Sequence, residues 1–449
     1  MKYTRFLILL VIGASLMNGT PLHSEQKYKL SLEQAIKTGL TSGYQIRLAK
    51  EALSMAQAKN LEAWNGFLPS ITFSESFMKS TDPVTVFGLK LKQGVFTQQD
   101  FSLSSLNNPD VFENYSTQIK LELPILNVDA FYHKSAMSAS VHAQKANLER
   151  TRQSVVFQIK AAYYGLILAY QNLQAVKDAL RVAQIHRDEA KLALEQGLLT
   201  RADYLLTEVR VQELKEEALI AENNIRDASD QFKFLIGMQE KGLIEPTDSL
   251  VAPGTSPLNF SEGVNPALRA DLQALHFQQV AAHRQLKAAR SAWFPRLNAF
   301  GSYEWNDNRF FGQNASNWMI GVQLSWKLFD GLGNWGRHHQ ASARVREATI
   351  AYQQAYHQAS NEANSAYRKI SIAQQRYQVA QKALQQASES LRLIRERFEV
   401  GLVKTSELLE HELQYTRARL RSLKAKFDYH VALDQWELAH APEEREVKK

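Results

Sequence analysis

Two long stretches of this chain carry the same helical seam, displaced by 204 residues, and neither contains a proline. Apolar or small residues recur at Val155, Ile159, Ala162, Leu166, Ala169, Leu173, Val176, Leu180 and Ala183. Steps alternating between four and three define a heptad seam. The shift of 204 gives Ala359, Ala363, Ala366, Ile370, Ala373, Tyr377, Ala380, Leu384 and Ala387, and the seam continues to Leu391, Ile394 and Phe398. It also carries Gly197 to Gly401, Leu198 to Leu402 and Asp203 to Glu407. A displacement shared by a seam and by the turn after it marks an internal duplication. The runs from about Asp129 to Gln196 and from about Gly336 to Val400 predict helices roughly 100 Å long. No single compact core covers that length, so the seams must meet other long helices.

Composition agrees with long elements. Of 449 residues only 20 are Gly and 11 Pro, below the usual shares of about 7% and 5%. A mean hydropathy of -0.35 excludes a bundle of membrane helices. The formal charge of +7 is modest for this length and makes no case for nucleic acid. With no cysteine there is no disulfide, thiolate metal site or lipid-modified N-terminal cysteine. Lys2 and Arg5 followed by the apolar run Phe6 to Leu16 read as an export signal, too short to span a bilayer. Its cleavage is expected between Gly19 and Ser24, giving a signal segment of 1–24.

Four segments have period two instead. Tyr115, Thr117, Ile119, Leu121 and Leu123 alternate with polar neighbours, and Trp318, Ile320, Val322, Leu324 and Trp326 do the same. Ile71 to Phe77 and Leu297 to Trp305 repeat the pattern less cleanly. Strands of about ten residues suit a tilted bilayer crossing, with aromatic residues near their ends forming girdles. Ile119 and Val322 fall on the presumed lipid face, Gln118 and Gln323 on the other. Each pair is entered from a helix through a proline, Pro69 or Pro295, which cannot continue a helix and pushes its predecessor out of helical geometry. The first hairpin loop, about Lys79 to Asn114, is much longer than the second, about Asn306 to Ser316. Four strands cannot close, and lipid does not tolerate an open edge. The barrel must be shared between chains: two would give eight strands, three would give twelve.

This order of helix, Pro, strand, loop, strand, long helix, Gly turn and helix, given twice, resembles the TolC family of outer-membrane efflux channels. Leu30-Ser31-Leu32-Glu33-Gln34-Ala35, Asn265-Pro266-Ala267-Leu268-Arg269, Ala289-Arg290-Ser291-Ala292-Trp293-Phe294-Pro295 and Phe398-Glu399-Val400-Gly401-Leu402 also resemble it. The resemblance implies an α+β membrane protein of the outer membrane of a Gram-negative bacterium. Long coiled-coil helices would form a periplasmic α-barrel, and a homotrimer would share a twelve-stranded transmembrane β-barrel. The expected divisions are a first repeat at 25–240, an equatorial linker at 241–264, a second repeat at 265–440 and a charged tail at 441–449. The function implied is an exit duct of a tripartite efflux or type I secretion system. Its partners would be a periplasmic adaptor and an inner-membrane pump of RND, ABC or MFS type, with outer-membrane lipid around the barrel.

The same resemblance places a gate at the helix tips. Gly197, Leu198 and Leu199 in one turn, and Val400, Gly401, Leu402 and Thr405 in the other, are the expected adaptor contacts. Glu407 and Glu410 share a helix face at i,i+3 and fall where the family lines its periplasmic aperture with acids. Asp203 is the weaker candidate from the first repeat. Phe398 and Val403 stand where some members carry Tyr and Arg that latch the closed state, so closing contacts here are expected to be apolar. Gly331-Leu332-Gly333-Asn334-Trp335-Gly336 is a literal GxGxxG, but no βαβ unit surrounds it and it reads as a strand-to-helix turn. His338 and His339 are adjacent, so a helix points them apart. No catalytic constellation, cofactor or metal site is expected. The alternative class is a soluble periplasmic coiled-coil adaptor or scaffold, although adaptors flank their hairpins with lipoyl-like and β-barrel domains rather than duplicating them.

Overall fold

The computed structural model describes residues 26–253 and 266–440. The expected signal segment, part of the linker and the charged tail lie outside them. In chain order come β1 (Lys27–Leu30), α1 (Leu32–Ser42), α2 (Tyr44–Glu62), β2 (Ser70–Ser80), α3 (Pro83–Gln93), α4 (Leu103–Asn107), β3 (Phe112–Leu126), α5 (Val128–Glu195) and α6 (Arg201–Ile236). There follow β4 (Leu243–Pro246), α7 (Ala270–Ser291), β5 (Arg296–Asp307), β6 (Ala315–Ser325), α8 (Gly333–Glu399) and α9 (Thr405–Ala439). The two long helices begin and end within a few residues of the proline-free runs, and both seams are buried or half-buried along their length. No described helix is long and apolar enough to cross a membrane.

Four strands form one antiparallel sheet in the order β2-β3-β5-β6. Their register separates two faces. Ile71, Leu121, Gly301 and Ile320 lie in one row across the sheet, and Phe73, Ile119, Tyr303 and Trp318 in the next. The opposite face carries Gln118, Lys120 and Glu122 against Ser74, Thr72 and Ser70. These two rows are largely exposed, with Ile71, Phe73, Trp318 and Ile320 each more than half exposed; this apolar face meets lipid, and the polar face lines the lumen. Pro124 near the end of β3 is accommodated by a register shift before Leu126, as a proline in a sheet requires.

The first hairpin loop has a structure that its sequence did not signal. Asp82 accepts the Thr85 amide at 2.7 Å and starts α3, with Pro83 in its first turn. The far end of α3 is fastened to the lumen face: Lys92 pairs with Glu304 at 3.1 Å. Gln93 donates to Asn114 at 2.8 Å, and Asn114 donates to Asn306 at 2.9 Å. The loop therefore folds across the outer mouth instead of standing away from it.

About halfway along α5, well away from the four-stranded sheet, β1 and β4 pair in parallel. Ile159, Tyr163, Leu166, Phe232, Ile236 and Ile244 form the largest buried cluster there. The Tyr163 hydroxyl lies 2.8 Å from both the Leu30 carbonyl and the Asp248 carboxylate, tying α5 to the segments around β1 and β4. Burial raises the pKa of Tyr163, so it stays a neutral donor.

Candidate gate at the helix tips

Two turns of matching geometry join α5 to α6 and α8 to α9. In the first, Leu198 N–H donates to the Ala193 carbonyl at 2.8 Å and Gly197 N–H to Leu194 at 3.0 Å. In the second, Leu402 donates to Arg397 at 2.9 Å and Gly401 to Phe398 at 2.9 Å. These are the paired bonds of a Schellman cap, which needs a left-handed residue after the helix. Gly197 and Gly401 supply it at φ 72° and 74°. Gly197→Ala and Gly401→Ala should each cost roughly 1 kcal/mol, because an L-residue pays about that to enter this region. With the same hydrogen bonds at both turns, the two losses should match when unfolding is followed by circular dichroism.

The apolar residues of the turns divide by burial. Leu198, Val400 and Leu402 are exposed, and Leu199 is half-buried. Thr405 departs from expectation: it opens α9 with its side chain packed inward, 5% exposed, and the surface offered to a partner excludes it. Phe398 and Val403 pack on Leu391, Ile394 and Leu408. Phe398 and Val403 are thus part of an apolar plug within one hairpin.

Leu408, turned into that plug, sets the orientation of its helix. Glu407 and Glu410 consequently face outward and are both exposed. Lys404 at the N-cap of α9 makes no side-chain capping bond, unlike Thr200 in the first repeat. Thr200 caps α6 by accepting the Asp203 amide at 3.2 Å, and its hydroxyl donates to the Asp203 carboxylate at 2.6 Å. Asp203 is held in a cap.

Further up, polar links join the two hairpins. Arg419 of α9 donates to Asp178 of α5 at 3.0 Å. His186 of α5 lies 2.9 Å from Glu412 of α9 and 3.0 Å from Glu189, while Arg395 of α8 approaches Glu412 at 3.7 Å. Sequence reasoning missed these groups, because each looks like part of a solvated helix face. The Glu412 carboxylate, aided by Glu189 and opposed by desolvation, raises the pKa of His186. Its stabilisation is therefore complete below the unfolded value of about 6.5 and is lost as pH rises through the higher folded value. His186→Gln should flatten the thermal stability profile between pH 6 and 8. A profile identical to the parent's would show that this pair does not tie the hairpins.

A half-lipid, half-water sheet with unpaired edges, continued by duplicated hairpins, defines a subunit of a channel that crosses a membrane and runs on as a helical tunnel. Residues 35–238 and 267–438 match the family model described as outer membrane efflux protein. The chain belongs to that family, and is an exit duct of the outer membrane. It is 21% identical over 417 residues to the alkaline protease secretion protein AprF of Pseudomonas aeruginosa, covering 89% of this chain and 84% of AprF. It is 26% identical over 326 residues to the outer membrane protein OprJ of the same organism, covering 68% and 65%. In fold it is similar to the Campylobacter jejuni CmeC outer membrane channel, with a TM-score of 0.78 at 16% identity over 91% of this chain and 85% of that one. These findings set aside the soluble adaptor or scaffold.

Proposed function

We propose that three copies of the chain form one twelve-stranded barrel and one tunnel, closed toward the periplasm by the tips of α5–α6 and α8–α9. Each repeat, 25–240 and 265–440, supplies one hairpin. Glu407 and Glu410 ring the aperture, and Asp203, engaged by Thr200, contributes less. Gly197, Leu198, Leu199, Val400, Gly401 and Leu402 present the apolar tip surface that a periplasmic adaptor grips. An inner-membrane pump supplies the energy, and the duct serves efflux or type I secretion. The observation that carries this reading is the sheet: apolar on one face, polar on the other, and unpaired at β2 and β6. Such edges must be closed by other strands in lipid. Purified in detergent, the protein should have the mass of three chains, and in planar bilayers it should conduct. A monomer that never conducts would overturn the reading.

A further inference from the structure

The two free edges of the sheet end at the periplasmic rim in unlike apolar surfaces. Before β2, Leu61, Trp64, Leu68 and Pro69 bound an open cleft of about 680 Å³. Leu61 is 70% and Leu68 56% exposed. The Trp64 ring is fixed edge-on to Phe67 at 5.8 Å and lies under the Lys134 ammonium at 5.0 Å. Lys134 is itself held by Asn60 at 2.7 Å. After β6, the chain runs Trp326-Lys327-Leu328-Phe329, and Leu328 and Phe329 are 78% and 79% exposed. Trp326 donates its indole N–H to the Trp293 carbonyl at 3.0 Å, which holds the segment in place. One edge thus carries a shallow, largely apolar cleft with Glu62 and Asn65 also in its lining, and the other carries an exposed apolar pair.

Within a chain these surfaces cannot meet, because three strand spacings of about 4.8 Å each separate β2 from β6. Between chains they are brought together by the seam that closes the barrel. Neighbouring strands are antiparallel throughout, so β6 of one copy and β2 of the next run in opposite directions. Within the chain, the start of β5 at Arg296 lies opposite the end of β6 at Ser325. A seam of the same kind sets the start of β2 at Ser70 against that end, within the stagger that strand tilt imposes. Residues 326–329 then run alongside 61–69 of the neighbour.

We propose that Leu328 and Phe329 of one copy seat in the Leu61, Trp64 and Leu68 cleft of the next, making three identical staples where barrel becomes tunnel. The proposal rests on the shared-barrel reading above. It assigns the exposed pair to a second copy of this chain, not to the lipid interface, where apolar and aromatic side chains also collect. Each staple would join the segment leading into α8 of one copy to α2 of its neighbour. The tips could then dilate while the junction holds.

Because the chain contains no cysteine, paired cysteines report only on each other. Leu68→Cys with Leu328→Cys, and Leu61→Cys with Phe329→Cys, would be made in the full chain and expressed in outer membranes. They would then be oxidised or treated with a short bismaleimide. At least one pair should give covalent dimers and trimers on a non-reducing gel, while all four single variants remain monomeric in SDS at high temperature. Native mass spectrometry in detergent supplies the second readout. A trimer by mass with no cross-link from either pair overturns the staple and leaves the pair facing lipid. A monomer by mass overturns the staple together with the shared barrel.

Discussion

Replacing Glu407 and Glu410 together with alanine should remove cation preference and weaken trivalent-ion block while leaving the channel assembled. Both carboxylates are exposed and share one face of α9, beside a plug that buries Leu408. In a trimer they would place six negative charges around the narrowest point. Rings of carboxylates admit cations and exclude anions. Carboxylate oxygens also suit hard multivalent ions, which would bind across the ring and block it. The parent channel should be blocked from the periplasmic side by trivalent ions, and the double variant should need at least about tenfold more ion, a difference of 1.4 kcal/mol. Single-channel recording with asymmetric salt gives both quantities. Since neither glutamate contributes to the hydrophobic plug, the double variant should still form trimers and insert. Asp203→Ala is the useful comparison: with its carboxylate engaged by Thr200, it should shift selectivity much less. Unchanged selectivity and block in the double variant would make these acids helix-start residues and move the gate elsewhere.

An arginine at Ile320 should largely prevent insertion. Ile320 is 76% exposed and lies in the row with Ile71, Leu121 and Gly301 near the middle of the sheet. Charge on the lipid face near the midplane costs about 2–4 kcal/mol per chain, and a trimer incurs it three times. Gln323→Arg, on the polar face of the same strand, should be tolerated. The amount of folded oligomer in outer-membrane fractions separates the two. Insertion of the Ile320→Arg variant with loss of the Gln323→Arg variant would mean that the faces have been assigned the wrong way round, and equal insertion of both would mean that neither position meets lipid near the midplane.

The parts of the fold written in local periodicity were legible before the structure. The heptad seams, the glycine turns, the four strands and the proline switches at 69 and 295 each depend on residues close together in the chain. What escaped notice depends on meetings across the chain. The Arg419–Asp178 link joins residues 241 apart, and the Gln93–Asn114–Asn306 chain crosses three elements. The pairing of β1 with β4 spans four residues per strand, too few to establish a period. At the helix tips, family position singled out Glu407 and Glu410, and both are exposed. It could not distinguish Thr405, turned into the hairpin, or Asp203, held in a cap, because both lie at the same offset from a glycine as freer residues do.

The lopsided hairpin loops bear on what the surroundings of the cell encounter. The β5–β6 connection spans only 308–314, whereas 81–111 joins β2 to β3. Nearly everything that an antibody or a phage tail fibre could touch therefore comes from one segment of each chain. That segment is anchored from below through Lys92 and Gln93 to the inner wall of the duct. Mutations that disguise its outer surface are free to accumulate on the side facing away. On the side bonded to Glu304, Asn114 and Asn306, the same drift would reshape the outlet, so evasion and transport compete for the sequence of a single loop.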